Sequence, residues 1–203
     1  MKFFKEHIFP TVIYCGDNCL EEEYIESMRR HIIDAHNKNP RTNWQSSPDL
    51  MTHKKYKALV DVINKNVSTV FEDLKYEYDS YIITDMWSNL SKKGEFHRHH
   101  THSNNILSGV FYIQSDENDR ANIQFYDPRP QSDILTPKLK EENLENSHVW
   151  YWPSVVNRML LFPSWLQHYV PTNNSDKPRI SIAFNVMLKG TVGNHTSYQS
   201  GEF

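Results

Sequence analysis

At 203 residues the chain is sized for one domain with a full core. Its 22 Lys and Arg against 25 Asp and Glu give a formal charge of −3, which excludes a basic field for gripping nucleic acid or an anionic membrane. Aromatic content of 13 % beside a mean hydropathy of −0.70 reads as a packed interior under a polar exterior and excludes disorder.

Cys15 and Cys19 are too few for a disulfide framework and lack zinc-type spacing, so a reducing compartment is expected. The opening MKFFKEHIFP lacks the apolar run of a signal peptide, and no stretch is long enough to span a bilayer. The expected location is the cytoplasm. Asn194-His195-Thr196 fits the glycosylation pattern by chance, and His195, like the other isolated histidines, carries no pattern of its own.

Phe3 to Tyr14 reads as a short strand interrupted by Pro10. Asp17 or Asn18 is placed to cap a helix with Glu21, Glu22 and Glu23 in its first turn, where negative charge suits the dipole. Leu20, Tyr24, Met28, Ile32 and Ala35 form its apolar stripe. A polar loop, Asn37 to Gln45, leads to Ser47-Pro48, a helix start. Tyr56, Leu59, Ile63, Val67, Val70, Phe71 and Leu74 then mark one long amphipathic helix.

Beyond Tyr76 the period changes to strands: Tyr81 to Leu90, Leu107 to Gln114, Asn122 to Tyr126, Val149 to Trp152, Arg158 to Phe162, His168 to Val170 and Arg179 to Leu188. Short strands without intervening helices mean a sandwich or barrel. Residues 128–147 form a long polar insertion, expected as a flap beside a site, and 190–203 a polar, loosely ordered tail. Trp87, Trp150, Trp152 and Trp165 are expected in the core.

His97, His99, His100 and His102 crowd six residues ahead of the second strand. On a strand, i and i+2 share a face, so His100 and His102 can point together at one ion. His97 and His99 then face the other way and are expected as supporting residues. Imidazole suits iron, zinc, copper and nickel alike, and the cluster alone reads equally as a His-rich loop.

A second half-site supports the metal. His168 follows the strand ending in LFPSWLQH, and Arg179 and Ser181 share a face at the start of the last strand. A buried guanidinium beside a hydroxyl is a receptor for a small carboxylate. Arg179 could instead pair with Asp127, which otherwise caps the Asp-Pro-Arg turn and is the reserve acidic metal ligand.

Residues 81–188 resemble the 2-oxoglutarate- and iron(II)-dependent dioxygenases, nearest to an uncharacterised oxygenase branch. The resemblance rests on His100-Thr101-His102, SGVFY at 108–112, FYDPR at 125–129, LFPSWLQH at 161–168 and RISIAFN at 179–185, with Phe9-Pro10 and Trp44-Gln45-Ser46 in support. It implies a mainly β fold with N-terminal helices (α+β), a double-stranded β-helix, jelly-roll or cupin-like core with two supporting helices. One domain over 1–203 would divide into 1–76, a catalytic core at 77–189 and the tail at 190–203.

By the same resemblance His100 and His168 would ligate Fe(II), and Arg179 with Ser181 would hold the far carboxylate of 2-oxoglutarate, with Tyr112 as another contact. Most of the superfamily has Asp or Glu where His102 stands, so either His102 is the third ligand or an acidic residue reaches in from elsewhere. The implied activity uses O2 and 2-oxoglutarate to hydroxylate a C–H bond of a peptide side chain or small molecule. A cupin-type enzyme without 2-oxoglutarate is one rival, although Ile106 and Leu107 stand where its Glu is usual. A metal-free jelly-roll binding module is another. A homodimer is left open, and no nucleic acid or membrane partner is expected.

Overall fold

Apolar residues alternate with small or polar ones along the longest strands, so each strand offers two different faces. In the computed structural model, which describes residues 2–194, 196 and 198–203 (without the side chains of Asp133 and Asn194), both faces are buried, against different partners. His195 of the Asn-His-Thr sequence lies outside the described residues. In chain order the elements are β1 (Tyr14–Gly16), α1 (Glu22–Lys38), β2 (Trp44–Gln45), α2 (Lys57–Asp73), β3 (Ser80–Ser91), β4 (His97–His100), β5 (Leu107–Gln114) and β6 (Ile123–Tyr126). They continue with β7 (Val149–Trp152), β8 (Met159–Pro163), β9 (His168–Val170), β10 (Arg179–Lys189), β11 (Thr191–Asn194) and β12 (Gln199–Glu202).

The larger sheet runs β1-β8-β5-β10-β3-β2 and the smaller β4-β9-β6-β7, all pairs antiparallel. One face of the larger sheet, with Phe111, Leu161, Ile180, Ile182 and Phe184, packs in a single core with Ile25, Met28 and Ile32 of α1 and Leu59, Ile63 and Phe71 of α2. The other face, with Val110, Tyr112, Leu160 and Phe162, meets Ile123, Phe125 and Val170 of the smaller sheet. The helices therefore brace one wall of a two-sheet sandwich, as the fold expectation has it.

Local expectations fare unevenly. Residues 3–13 form no strand, and pairing begins only at Tyr14. Helix α1 starts at Glu22 after Glu21, with no side-chain cap from Asp17 or Asn18. Its buried stripe passes through Ile25 and not Tyr24, which is exposed. Ser47-Pro48 does not open α2. Two short 3-10 turns, Leu50–Thr52 and Lys54–Tyr56, come first.

The tail forms a hairpin, β11 with β12, closed by reciprocal backbone hydrogen bonds between Gly190 and Phe203. The insertion has one regular piece, a 3-10 turn at Pro130–Asp133. Among the described residues no helix is long and apolar enough to cross a membrane.

Candidate metal centre

At one edge of the smaller sheet β4 pairs with β9, and there His100 stands directly opposite His168. His102 lies two residues past the end of β4, and its N–H donates to the Ser164 carbonyl at 2.9 Å. Each of the three rings offers a nitrogen within 4.8 Å of the others. Ring centroids are 4.4 Å apart for His100 and His168, 5.0 Å for His100 and His102, and 5.2 Å for His102 and His168.

Two of the rings have their tautomer set by a carbonyl, which can only accept. His100 Nδ1 donates to the Arg98 carbonyl at 2.7 Å and His168 Nδ1 to the Leu166 carbonyl at 2.8 Å. The Nε2 lone pair of each is thereby left for a metal. Burial keeps His168 and His102 unprotonated: the pKa of His168 falls to about 3 and that of His102 to about 4, with the neighbouring histidines adding to the effect. Among the described residues no carboxylate joins the cluster. The reserve ligand Asp127 is instead forked onto Arg129, at 2.9 Å to Nε and 2.8 Å to Nη2, and does not pair with Arg179.

Arg179, Ser181 and Ala183 share the inward face of β10 and line the same cavity as the three histidines, a space of about 460 Å³. Arg179 is 3 % exposed, and among the described residues no carboxylate neutralises it. Its Nη1 donates to Ser181 Oγ at 3.3 Å, and its guanidinium carbon lies 5.2 Å from the centre of the Tyr112 ring. Arg179 Nε and the Tyr112 hydroxyl are both buried without a hydrogen-bond partner. Burial lowers the pKa of Arg179 and raises that of Tyr112, each partly offset by the other.

Two sequence-based placements need correction. His97 does not share a side with His99. The β4 register slips between His97 and His100, turning His97 into the cavity, where its Nε2 is 3.3 Å from Ser91 Oγ. His99 points outward, 2.7 Å from the Tyr126 hydroxyl. Trp87 also lines the cavity, and Trp165 is 58 % exposed, so neither is a core residue. Asn43, Gln45, Asn89, Phe96 and Arg98 also line it, whereas none of the described side chains of 128–147 does.

The β3 residues were findable: Met86, Ser88 and Leu90 face one way, so Trp87 and Asn89 must face the other. Gln45 lies in the Trp44-Gln45-Ser46 stretch of the resemblance, but nothing in the sequence placed it or Asn43 at the site, where the edge strand β2 brings them.

A profile for the family described as "Putative 2OG-Fe(II) oxygenase" matches residues 85–185, which contain the three histidines, Arg179, Ser181 and Tyr112. The chain belongs to the 2OG-Fe(II) oxygenase superfamily. No curated protein sequence matches it. The oxygenase fold is shared with a prolyl-4-hydroxylase of Pseudomonas putida, at TM-score 0.65 and 11 % identity over 89 % of this chain and 94 % of that one. HygX of Streptomyces hygroscopicus, solved with nickel and 2-oxoglutarate bound, is similar at TM-score 0.62 and 12 % identity over 88 % and 83 %. A Trichoplax adhaerens prolyl hydroxylase, in complex with a hypoxia inducible factor peptide fragment, is similar at TM-score 0.60 and 12 % identity over 86 % and 83 %. In this oxygenase the expected two-sheet core and bracing helices are present.

Proposed function

We propose that the protein is an Fe(II)- and 2-oxoglutarate-dependent hydroxylase whose iron is held by His100, His102 and His168 without a carboxylate. The observation that carries this is the buried Arg179, to which no described residue supplies an anion, in the same cavity as three converging imidazoles. A guanidinium shut away from water needs a negative partner. The orphaned Arg179 Nε and Tyr112 hydroxyl supply two further donors for one. A small dicarboxylate fits: one end on Arg179, Ser181 and Tyr112, the other reaching the histidines.

Iron with 2-oxoglutarate and O2 supplies an oxidant that places oxygen in a C–H bond while the co-substrate leaves as succinate and carbon dioxide. The chain's own residues do the rest. His100 and His168 enter with Nε2 already aimed, so no tautomer change accompanies binding. Val110, Ile123, Phe162 and Val170 line the cavity with apolar surface, which limits water there. Three neutral ligands leave both iron charges uncompensated, and that favours a dianionic co-substrate over a neutral one.

For the substrate, the cavity wall offers the side chains of Asn43, Gln45, Asn89 and Arg98 and, among the described residues, no carboxylate. That supports a neutral or anionic hydrogen-bonding substrate, a peptide among them, over a cation. Both cysteines are free thiols, which suits a cytoplasmic location.

The test is succinate formation from 2-oxoglutarate by the iron-loaded protein in air. His168→Ala should abolish it while the apo-protein keeps its circular dichroism and melting temperature. Succinate formation at the wild-type rate in that variant would overturn the assignment.

A further inference from the structure

Among the buried polar side chains outside the site described above, three form a chain of their own. Ser108 of β5, Ser164 in the turn after β8 and Asn185 of β10 are 1 %, 0 % and 5 % exposed. Ser108 Oγ donates to Asn185 Oδ1 at 2.9 Å and lies 2.8 Å from Ser164 Oγ. A hydroxyl has one proton to give. With that of Ser108 committed to Asn185, Ser164 must donate to Ser108, and the chain runs one way from the turn into two neighbouring strands of the larger sheet.

What this chain anchors is the backbone of Ser164. Its carbonyl accepts the N–H of His102 at 2.9 Å, and its own N–H donates to the Ile106 carbonyl at 3.2 Å. Ser164 therefore grips both ends of the irregular stretch 102–106. Two residues further on, Leu166 supplies the carbonyl that orients His168, so a single turn serves two of the three histidines.

The histidines are not equally held. His100 and His168 lie in paired strands, and each ring has a carbonyl on Nδ1. His102 lies outside any strand, and among the described residues no hydrogen bond holds its ring. Beside ring contacts with Trp87, His100 and His168, its backbone bond to Ser164 is the hydrogen bond that holds it.

We propose that Ser164, pinned by Ser108 and Asn185, is the positioning residue for His102 as the third metal ligand. The proposal rests on the three-histidine reading. It gives a physical role to one residue in each of the SGVFY, LFPSWLQH and RISIAFN stretches that the site had not used. Outer contacts of this kind typically change metal affinity 10- to 100-fold.

The test uses cobalt(II) alone, whose visible d–d bands report ligand number and geometry. Affinity, spectrum and apo melting temperature are measured for wild type, Ser164→Ala, Ser108→Ala, the double variant, His102→Ala and Ser154→Ala. Ser154 is the control: it is 0 % exposed, and its hydroxyl bonds to Ala121 and Asn122, away from the turn.

The expected result is that Ser164→Ala and Ser108→Ala each weaken cobalt binding about ten-fold with an altered spectrum. The double variant should be no weaker than the worse single one, and Ser154→Ala should keep wild-type affinity even where it melts lower. Wild-type affinity in Ser164→Ala beside a loss in His102→Ala overturns the positioning role alone. Equal loss in Ser154→Ala overturns it as well, by reducing the effect to general destabilisation. Wild-type affinity in His102→Ala overturns the positioning role and the three-histidine reading together.

Discussion

Arg179 opens β10 with its charge sealed from water, Ser181 as hydrogen-bond partner and the Tyr112 ring alongside. A buried charge without a counter-charge costs stability, and replacing buried ionic groups with apolar ones of similar volume is often stabilising by about 1–4 kcal/mol. Arg179→Met should therefore raise the melting temperature of the apo-protein by several degrees, at roughly 2–4 °C per kcal/mol for a chain of this size. The same change should remove the rise in melting temperature that 2-oxoglutarate gives the iron-loaded wild type, because ligand stabilisation requires binding to the native state. Thermal melts with and without co-substrate check both halves. A lower apo melting temperature in Arg179→Met would show that Arg179 is structural, satisfied by its aromatic neighbour. That no carboxylate among the described residues joins the proposed iron ligands fits the same view, since each ligand left neutral makes an anionic co-substrate the better partner for the ion.

Strand β5 separates the helix-facing core from the sandwich interior, and its glycine shows how closely the layers fit. Gly109 stands opposite Phe184 of β10, and a Cβ added there would overlap the Phe184 ring. Gly109→Ala should cost about 1–3 kcal/mol, the range for overpacking a core. Phe184→Leu in the same chain should recover part of that loss, a coupling that denaturant titration of the two single variants and the double variant would reveal. Strict additivity would mean that the ring is not what excludes the side chain.

Elements of this kind were largely legible in the sequence. Strands β5, β7 and β9 fall on their expected residues, and β10 overruns by one, because long alternation and turn residues mark them. Residues 3–13 were misread because proline-broken apolar residues found no strand to pair with. Two features of the site were hidden by one cause: the period of two fails where a strand bulges or ends. The slip in β4 brought His97 inward against its parity, and His102 converges with His100 through a turn held by Ser164 and not through strand geometry. The wall residues Asn43 and Gln45 arrive through the pairing of β2 with β3, a long-range event that left no local signal.

At the scale of the whole molecule, helices α1 and α2 brace one face of the larger sheet, and the cavity opens off the other. β10 spans both functions, placing Ile180 and Ile182 in the helix-facing core and Arg179 and Ser181 in the cavity. The insertion at 128–147 contributes none of the described lining, so in the proposed function the metal and co-substrate positions would be set by the sandwich itself. The most direct test of that account is an anaerobic titration of the apo-protein with iron(II) and then 2-oxoglutarate, followed in the visible range. A charge-transfer band from the iron chelate should appear in the wild type and be absent in Arg179→Ala. Iron binding with no band in the wild type would contradict the account and favour a cupin-type enzyme without 2-oxoglutarate, and no iron binding at all would leave a jelly-roll binding module.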